Sequence, residues 1–256
     1  MLAQERRESF TTRALRSGQA LILEYDNMTD PTRKSWMRRG VEGAVRSAFM
    51  KAYSTVKVNP EKYLDHLRMA YNLPAATYQG MYSVDPGTLD HIAEQTIRAH
   101  VRLATVEGAG LGLGGMFTML PDLGILAAIT LRMIQKLSLI YGFPYNTEEE
   151  EEAELWVAAA SAAGVDISRE LLEKQFVAKF VPRVIQRIAV SASAEIVEKW
   201  TARLIPLVSS LIGAGLNHYF VKVWGERAVG HFRQKHLQMR AQHVNSRTTN
   251  PALPAS

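Results

Sequence analysis

The 256 residues contain no cysteine. That absence excludes disulfides, thiolate metal sites and a cysteine nucleophile, and it suits a reducing compartment. Alternation of apolar and polar residues over a useful length is also lacking, so no strand is expected. Neither H-E-x-x-H nor G-x-S-x-G occurs, and the pairs His91/His100 and His231/His236 miss the i, i+4 spacing that sets two ligands on one helix face. Zinc-dependent and serine-dependent hydrolysis therefore lose their usual signatures. The opening "MLAQERRESFTTRALRSG" carries charge where a signal peptide needs an apolar core, which points away from that export route and toward a cytoplasmic protein.

Apolar residues make up 47% of the chain, enough to bury a core and to confine disorder to the ends. The net charge of +5 is uneven. Residues 1–60 hold 11 Lys/Arg against 6 Asp/Glu, and residues 219–256 hold 6 against 1, so the middle is mildly acidic. Two basic ends around an apolar centre suit an anionic lipid surface, or equally a set of solvated helix faces. No nucleic-acid-reading module is recognisable, and the basic residues are not interleaved with stacking aromatics.

Helical periodicity dominates what remains. In "VEGAVRSAFMKAYSTV" the stripe runs through Val41, Ala44, Val45, Ala48, Phe49, Ala52, Tyr53 and Val56. Asn59-Pro60 and Asp85-Pro86 each pair a capping side chain with proline at the first helical position. The second of these helices has its stripe at Leu89, Ile92, Ala93, Ile97, Val101 and Ala104. Gly142 and Pro144 stop a helix, and Thr147 with Glu150 fits a capping box for the next. The glutamates that follow sit where the helix dipole favours negative charge; neighbouring positions point apart, so they do not form a cation site. Pro182 and Pro206 mark kinks or boundaries in a helical stretch reaching about residue 238. The expected class is all-α: a multi-helix bundle with two central, apolar, glycine-rich helical segments.

The first of those segments, "EGAGLGLGGMFTMLPDLGILAAITLRMIQKL", has five glycines within residues 108–115. It is not a phosphate loop, because no strand precedes it and neither the Lys-Ser/Thr nor the G-x-G-x-x-G spacing is met. Gly108 with Gly112, and Gly110 with Gly114, instead have the spacing that lets a second helix approach closely. As a membrane span the segment is marginal. Nine Leu, Ile and Phe residues contribute about −4 kcal/mol, and Asp122 near the centre returns about +3. Asp122 after Pro121 reads more simply as a first-turn carboxylate facing free N–H groups. The second segment, "LIPLVSSLIGAGLNHYFV", lacks charge but includes Asn217 and His218.

Two blocks resemble the EcsC family of bacterial proteins: residues 107–143, with the glycine run, the Pro-Asp step and "LRMIQ…YG", and residues 205–237, "IPLVSSLIGAGLNHYFVKVWGERAVGHFRQKHL". The motif positions are Gly108, Gly112, Gly114, Pro121, Asp122, Arg132, Tyr141, Gly142, Pro206, Gly213, Gly215 and Asn217; His218 departs from an expected Tyr. The resemblance implies a family domain at 85–238, preceded by a helical extension at 1–84 and followed by a polar, basic tail at 239–256. It implies no reaction, cofactor or catalytic residue.

Three functions stay open on these residues. The leading expectation is a non-enzymatic protein, peripheral at the inner face of the cell membrane or bound to a membrane protein, with Arg227, Arg233, Lys235 and Arg240 against anionic groups and no cofactor. The second is a soluble enzyme or small-molecule binder with a pocket between the glycine-rich helices, near Asp122, Asn217 and His218. The third is a cytosolic helical scaffold.

Overall fold

The computed structural model describes residues 31–111, 119–145, 149–165, 177–201 and 209–249. Within them the chain forms seven α-helices and no strand. These are α1 (Pro31–Thr55), α2 (Pro60–Tyr71), α3 (Pro86–Leu111), α4 (Met119–Ile140), α5 (Glu149–Ala162), α6 (Val177–Thr201) and α7 (Ser209–Thr249). A 3-10 turn, Gln79–Ser83, lies between α2 and α3.

The helix boundaries follow local chemistry. Asn59 holds extended backbone and its Oδ1 accepts the Lys62 N–H at 2.8 Å, while Pro60 takes the first helical position. Asp85 does the same before α3, accepting the Thr88 N–H at 2.9 Å. At the end of α4, the Phe143 N–H donates to the Ser138 carbonyl at 2.9 Å and the Gly142 N–H to the Leu139 carbonyl at 3.1 Å. That is a Schellman closure with Gly142 at φ +90°. The end of α5 repeats it through Val165, Ala160 and Gly164 at φ +72°. The capping box at Thr147 lies outside the described residues. Pro182 falls inside α6, which continues past it.

The apolar stripes expected on α1 and α3 face the interior: Val45, Ala48, Phe49, Leu89, Ile92, Ala93 and Ile97 are all buried. α4 is the central helix, with α1, α2, α3, α5 and α7 all against it. Leu123–Ile140 is long and apolar enough to cross a membrane, yet 61% of that window is buried inside the protein. Met133, Ile134, Leu137, Leu139 and Ile140 are wholly enclosed. One polar side chain is admitted there because it is fully used. Gln135 accepts the Val58 N–H at 3.1 Å and donates to the Val56 carbonyl at 3.0 Å, tying the α1–α2 link to α4.

α1 runs parallel to α4, since Val45 and Phe49 border the same cleft as Leu123 and Leu126 while Val58 meets Gln135. α3 and α7 run antiparallel and close together. A Cβ at Gly225 would sit 2.9 Å from Cγ1 of Ile97, so this crossing requires glycine. α7 continues helical to Thr249, beyond residue 238 where the sequence pattern places the start of the tail. Its extra turns have tertiary partners: Met239 packs against the core and His243 lies 6.4 Å from the Tyr82 ring.

Candidate functional site

The motif residues fall at three places. Gly108 lies in the last turn of α3, Pro121 and Asp122 in the first turn of α4, and Gly213 and Gly215 in the first turns of α7. Gly112, Gly114 and Pro206 lie outside the described residues. The described ones, Gly108, Pro121, Asp122, Gly213 and Gly215, fall at one end of the bundle, because α3 ends where α4 and α7 begin. Arg132 is exposed on α4. Asn217 is buried, with Nδ2 3.5 Å from the Ala104 carbonyl across the α3–α7 seam, whereas its neighbour His218 is exposed. Asn217 and His218 therefore do not share a pocket.

The α3–α7 seam continues from that end. Along α7 the partners come at Asn217, Gly225, Arg233 and Arg240; on the other side they come at Ala104, Ile97, Asp90 and Val84. Each of the four cations expected to face an anionic surface also has a partner in the bundle, while Arg227 and Arg233 remain exposed. Arg227 donates to the Ala162 carbonyl at 3.3 Å, and Arg233 Nε to Asp90 Oδ2 at 2.8 Å. Lys235 Nζ stands 4.9 Å from the Phe143 ring centre, and Arg240 donates to the Val84 carbonyl. Their spacing along one helix signals a basic face; only the packed structure shows what that face meets.

At the opposite end, the Tyr141-Gly142 motif organises a partly buried polar junction. The Tyr141 hydroxyl donates to Asp90 Oδ1 at 2.7 Å, and the Asp90 carboxylate accepts Arg233 on its other oxygen. Burial, reinforced by the bond to Asp90, pushes the Tyr141 hydroxyl far above its ordinary range. His236 donates from Nδ1 to the Tyr141 carbonyl at 2.9 Å and packs on the rings of Tyr82 and Tyr141, while its Nε2 is buried without a hydrogen-bond partner. Burial holds its pKa below the ordinary value. Gly142 is pressed between Tyr78, Met81 and Tyr82, and the Tyr82 hydroxyl donates to its carbonyl at 3.1 Å. The Tyr141, Asp90 and Arg233 side chains are bonded to one another in a chain. His100, likewise buried, donates to the Thr96 carbonyl at 2.7 Å, and burial lowers its pKa too. Among the described residues no three His, Asp or Glu gather as a metal site.

Two features were not among the expected site residues. One is an apolar cleft between α1, α4, α6 and α7. The other is a set of exposed apolar side chains at the motif-bearing end: Leu103 is 47% exposed and Val106 71%, beside exposed Arg98 and Arg102 on α3. On α1, Trp36 is 65% exposed and is followed by Arg38 and Arg39. The parallel register of α1 with α4 sets Trp36 beyond the start of α4, toward the same end. The signal was present, since Leu103 and Val106 fall off the buried stripe of α3.

The architecture defines a class: an all-helical bundle wrapped around a buried apolar helix, with its motif residues at helix starts and turns. The chain belongs to the EcsC protein family, whose profile matches residues 3–237. The match begins well before residue 85 and takes in α1 and α2. Two relatives from Bacillus subtilis (strain 168) are similar over shorter stretches. The "Uncharacterized protein YdbA" is 27% identical over 107 residues, 40% of this chain and 39% of that protein. "Protein EcsC" is 34% identical over 61 residues, 24% of this chain and 26% of that protein. The aligned parts span less than half of either relative. No solved structure matches.

Proposed function

We propose that this chain is a non-enzymatic protein that docks peripherally on the anionic cytoplasmic face of a membrane, through the end of the bundle where α3 finishes and α1, α4 and α7 begin. The observation that carries this reading is the exposure of Leu103 and Val106 beside exposed Arg102 in the C-terminal half of α3. Apolar groups that size, left in water beside cations, suit the headgroup boundary: the aliphatic side chains enter and the guanidinium groups meet phosphate. Trp36 between basic residues on α1 adds an indole of the kind that favours that boundary. The buried state of α4 favours docking over spanning, because its apolar length is satisfied inside the protein. The dispersal of His100 and His236 into bonds with backbone carbonyls supports a non-enzymatic role.

Vesicle flotation tests it. The protein is expected to float with vesicles containing phosphatidylglycerol and to stay behind with pure phosphatidylcholine, with binding weakened by salt. Arg102→Ala should cost about 1 kcal/mol, about fivefold in partitioning. The double variant Leu103→Glu/Val106→Glu should abolish flotation, whereas Met69→Glu, on α2, should leave it unchanged. Flotation of the double variant at the level of the parent would sink the reading.

A further inference from the structure

Arg132 and Lys136 stand one turn apart on α4, and both reach water: Arg132 is exposed and Lys136 half-buried. They lie where α4 meets α2 and α3. The Lys136 ammonium is 5.7 Å from the centre of the Tyr63 ring on α2. On α3, the Thr96 side chain lies against the Tyr63 hydroxyl, and the Thr96 carbonyl accepts the His100 ring. Two like charges at this spacing repel, and a partly buried ammonium calls for a carboxylate beside it. Among the described residues neither cation has one. Three acids of the flanking helices are held elsewhere: Asp65 by Arg68, Glu94 by Arg98 and Asp90 by Arg233. The titratable neighbours bring no negative charge either. Burial pushes the hydroxyls of Tyr63 and Tyr145 up to about 12, and burial, with the two cations nearby, holds His100 below its ordinary value. Lys136 itself is lowered, by burial first and by Arg132 second.

We propose that Arg132 and Lys136 hold a phosphate monoester group on the surface where α4 meets α2 and α3. The planar guanidinium fork of Arg132 matches two phosphate oxygens, and the Lys136 ammonium is a point charge for the third. The group carries close to two negative charges above neutral pH, one for each cation. A carboxylate offers two oxygens and one charge, and would leave one cation unmatched. Such a group has two sources, a soluble ester or a lipid headgroup. Along α4, Arg132 lies about 14 Å from Leu123, whereas interfacial helices sink only about 5–10 Å. The site therefore stays on the aqueous side of a bilayer docked at the start of α4, and the source is a soluble ester. That choice of source rests on the docking reading above; the binding of phosphate does not.

The test uses the full chain without vesicles, with inorganic phosphate and then glycerol 3-phosphate as probes. Acetylation of Lys136 by acetic anhydride at pH 8 is followed by peptide mass spectrometry, with exposed Lys51 as the internal reference. Each probe is expected to slow Lys136 saturably, at least fivefold, and to leave Lys51 unchanged. In Arg132→Gln the protection should be lost, and without phosphate this variant should melt no lower than the parent, because it relieves the repulsion. If it does not fold, Lys136→Gln is read instead: phosphate should raise the melting temperature of the parent and not of that variant. Labelling of Lys136 unchanged by both probes and by phosphatidic acid vesicles overturns the site. Equal protection by chloride at the same ionic strength, or full protection in folded Arg132→Gln, overturns it too. Equal protection by acetate overturns the choice of phosphate. Protection by phosphatidic acid vesicles, with none from glycerol 3-phosphate, overturns the soluble source. Loss of flotation with phosphate protection intact would reject docking and leave the site standing.

Discussion

Replacing Gly142 with alanine sets two costs against one gain, and the structure assigns each. Gly142 ends α4 at φ +90°, where an L side chain is strained by about 1–2 kcal/mol. The added Cβ would stand 3.0 Å from the Tyr78 carbonyl oxygen, 3.2 Å from Tyr82 Cε1 and 3.3 Å from Met81 Cβ. The Tyr78 oxygen cannot withdraw freely, because it accepts the Met81 N–H at 3.2 Å and so closes the 3-10 turn. Overpacking of this kind costs about 1–3 kcal/mol. Restricting the unfolded chain returns about 0.5 kcal/mol. The expected net loss is about 2–4 kcal/mol, or about 5–12 °C in melting temperature for a chain of this length. Gly40→Ala is the matched control: it lies inside α1, exposed, with nothing within 4 Å of the new Cβ, and should gain about 0.5–1 kcal/mol. Urea unfolding followed by far-UV circular dichroism measures both. A Gly142→Ala midpoint within about 0.5 kcal/mol of the parent would refute the account of the turn.

Gly225→Ala should lose about 1–3 kcal/mol, because its Cβ would meet Ile97 at 2.9 Å across the α3–α7 seam. Adding Ile97→Val should recover part of that loss in the same unfolding assay, and a lack of coupling between the two substitutions would contradict the crossing. Acid should weaken the fold in a defined window. His100 and His236 both have folded pKa values below the ordinary 6.5, chiefly through burial. The unfolded chain therefore takes up these protons first, so their stabilising contribution is whole above pH 6.5 and is lost as pH falls toward the folded values. Melting temperatures measured from pH 8 to pH 5 should decline below about 6.5, with a shallower decline in His236→Gln, which can still donate to the Tyr141 carbonyl. A profile flat through that interval would count against both buried rings.

What could be read from the sequence was the chemistry that acts within a few residues. Asn59 and Asp85 announce helix starts because a side-chain acceptor and a following proline satisfy the free end within one turn. The stripes on α1 and α3 announce their buried faces because helical period is local. Gly142 was legible as a helix stop, but not as the floor beneath Tyr78 and Tyr82, which lie some sixty residues earlier in the chain. The partner of a polar group was equally hidden. His236 meets the Tyr141 carbonyl and Arg233 meets Asp90 only because α7 runs back along α3, and no spacing within α7 encodes that.

The same distinction bears on the membrane question. A window as apolar as Leu123–Ile140 reads alike whether its neighbours are lipid tails or other helices, since hydrocarbon surrounds it in both cases. Here the neighbours are α1, α2, α3, α5 and α7. Position relative to the buried stripe carries more information than total apolarity. Val101 and Ala104 lie on the α3 stripe and are buried; Leu103 and Val106 lie off it and stay in water. An exposed apolar side chain that has cations beside it suits an outside partner better than one that stands alone, such as Met69. Under the docking proposal the contact falls at the end of α3, and the apolar length of α4, 61% buried over Leu123–Ile140, serves to hold the bundle together.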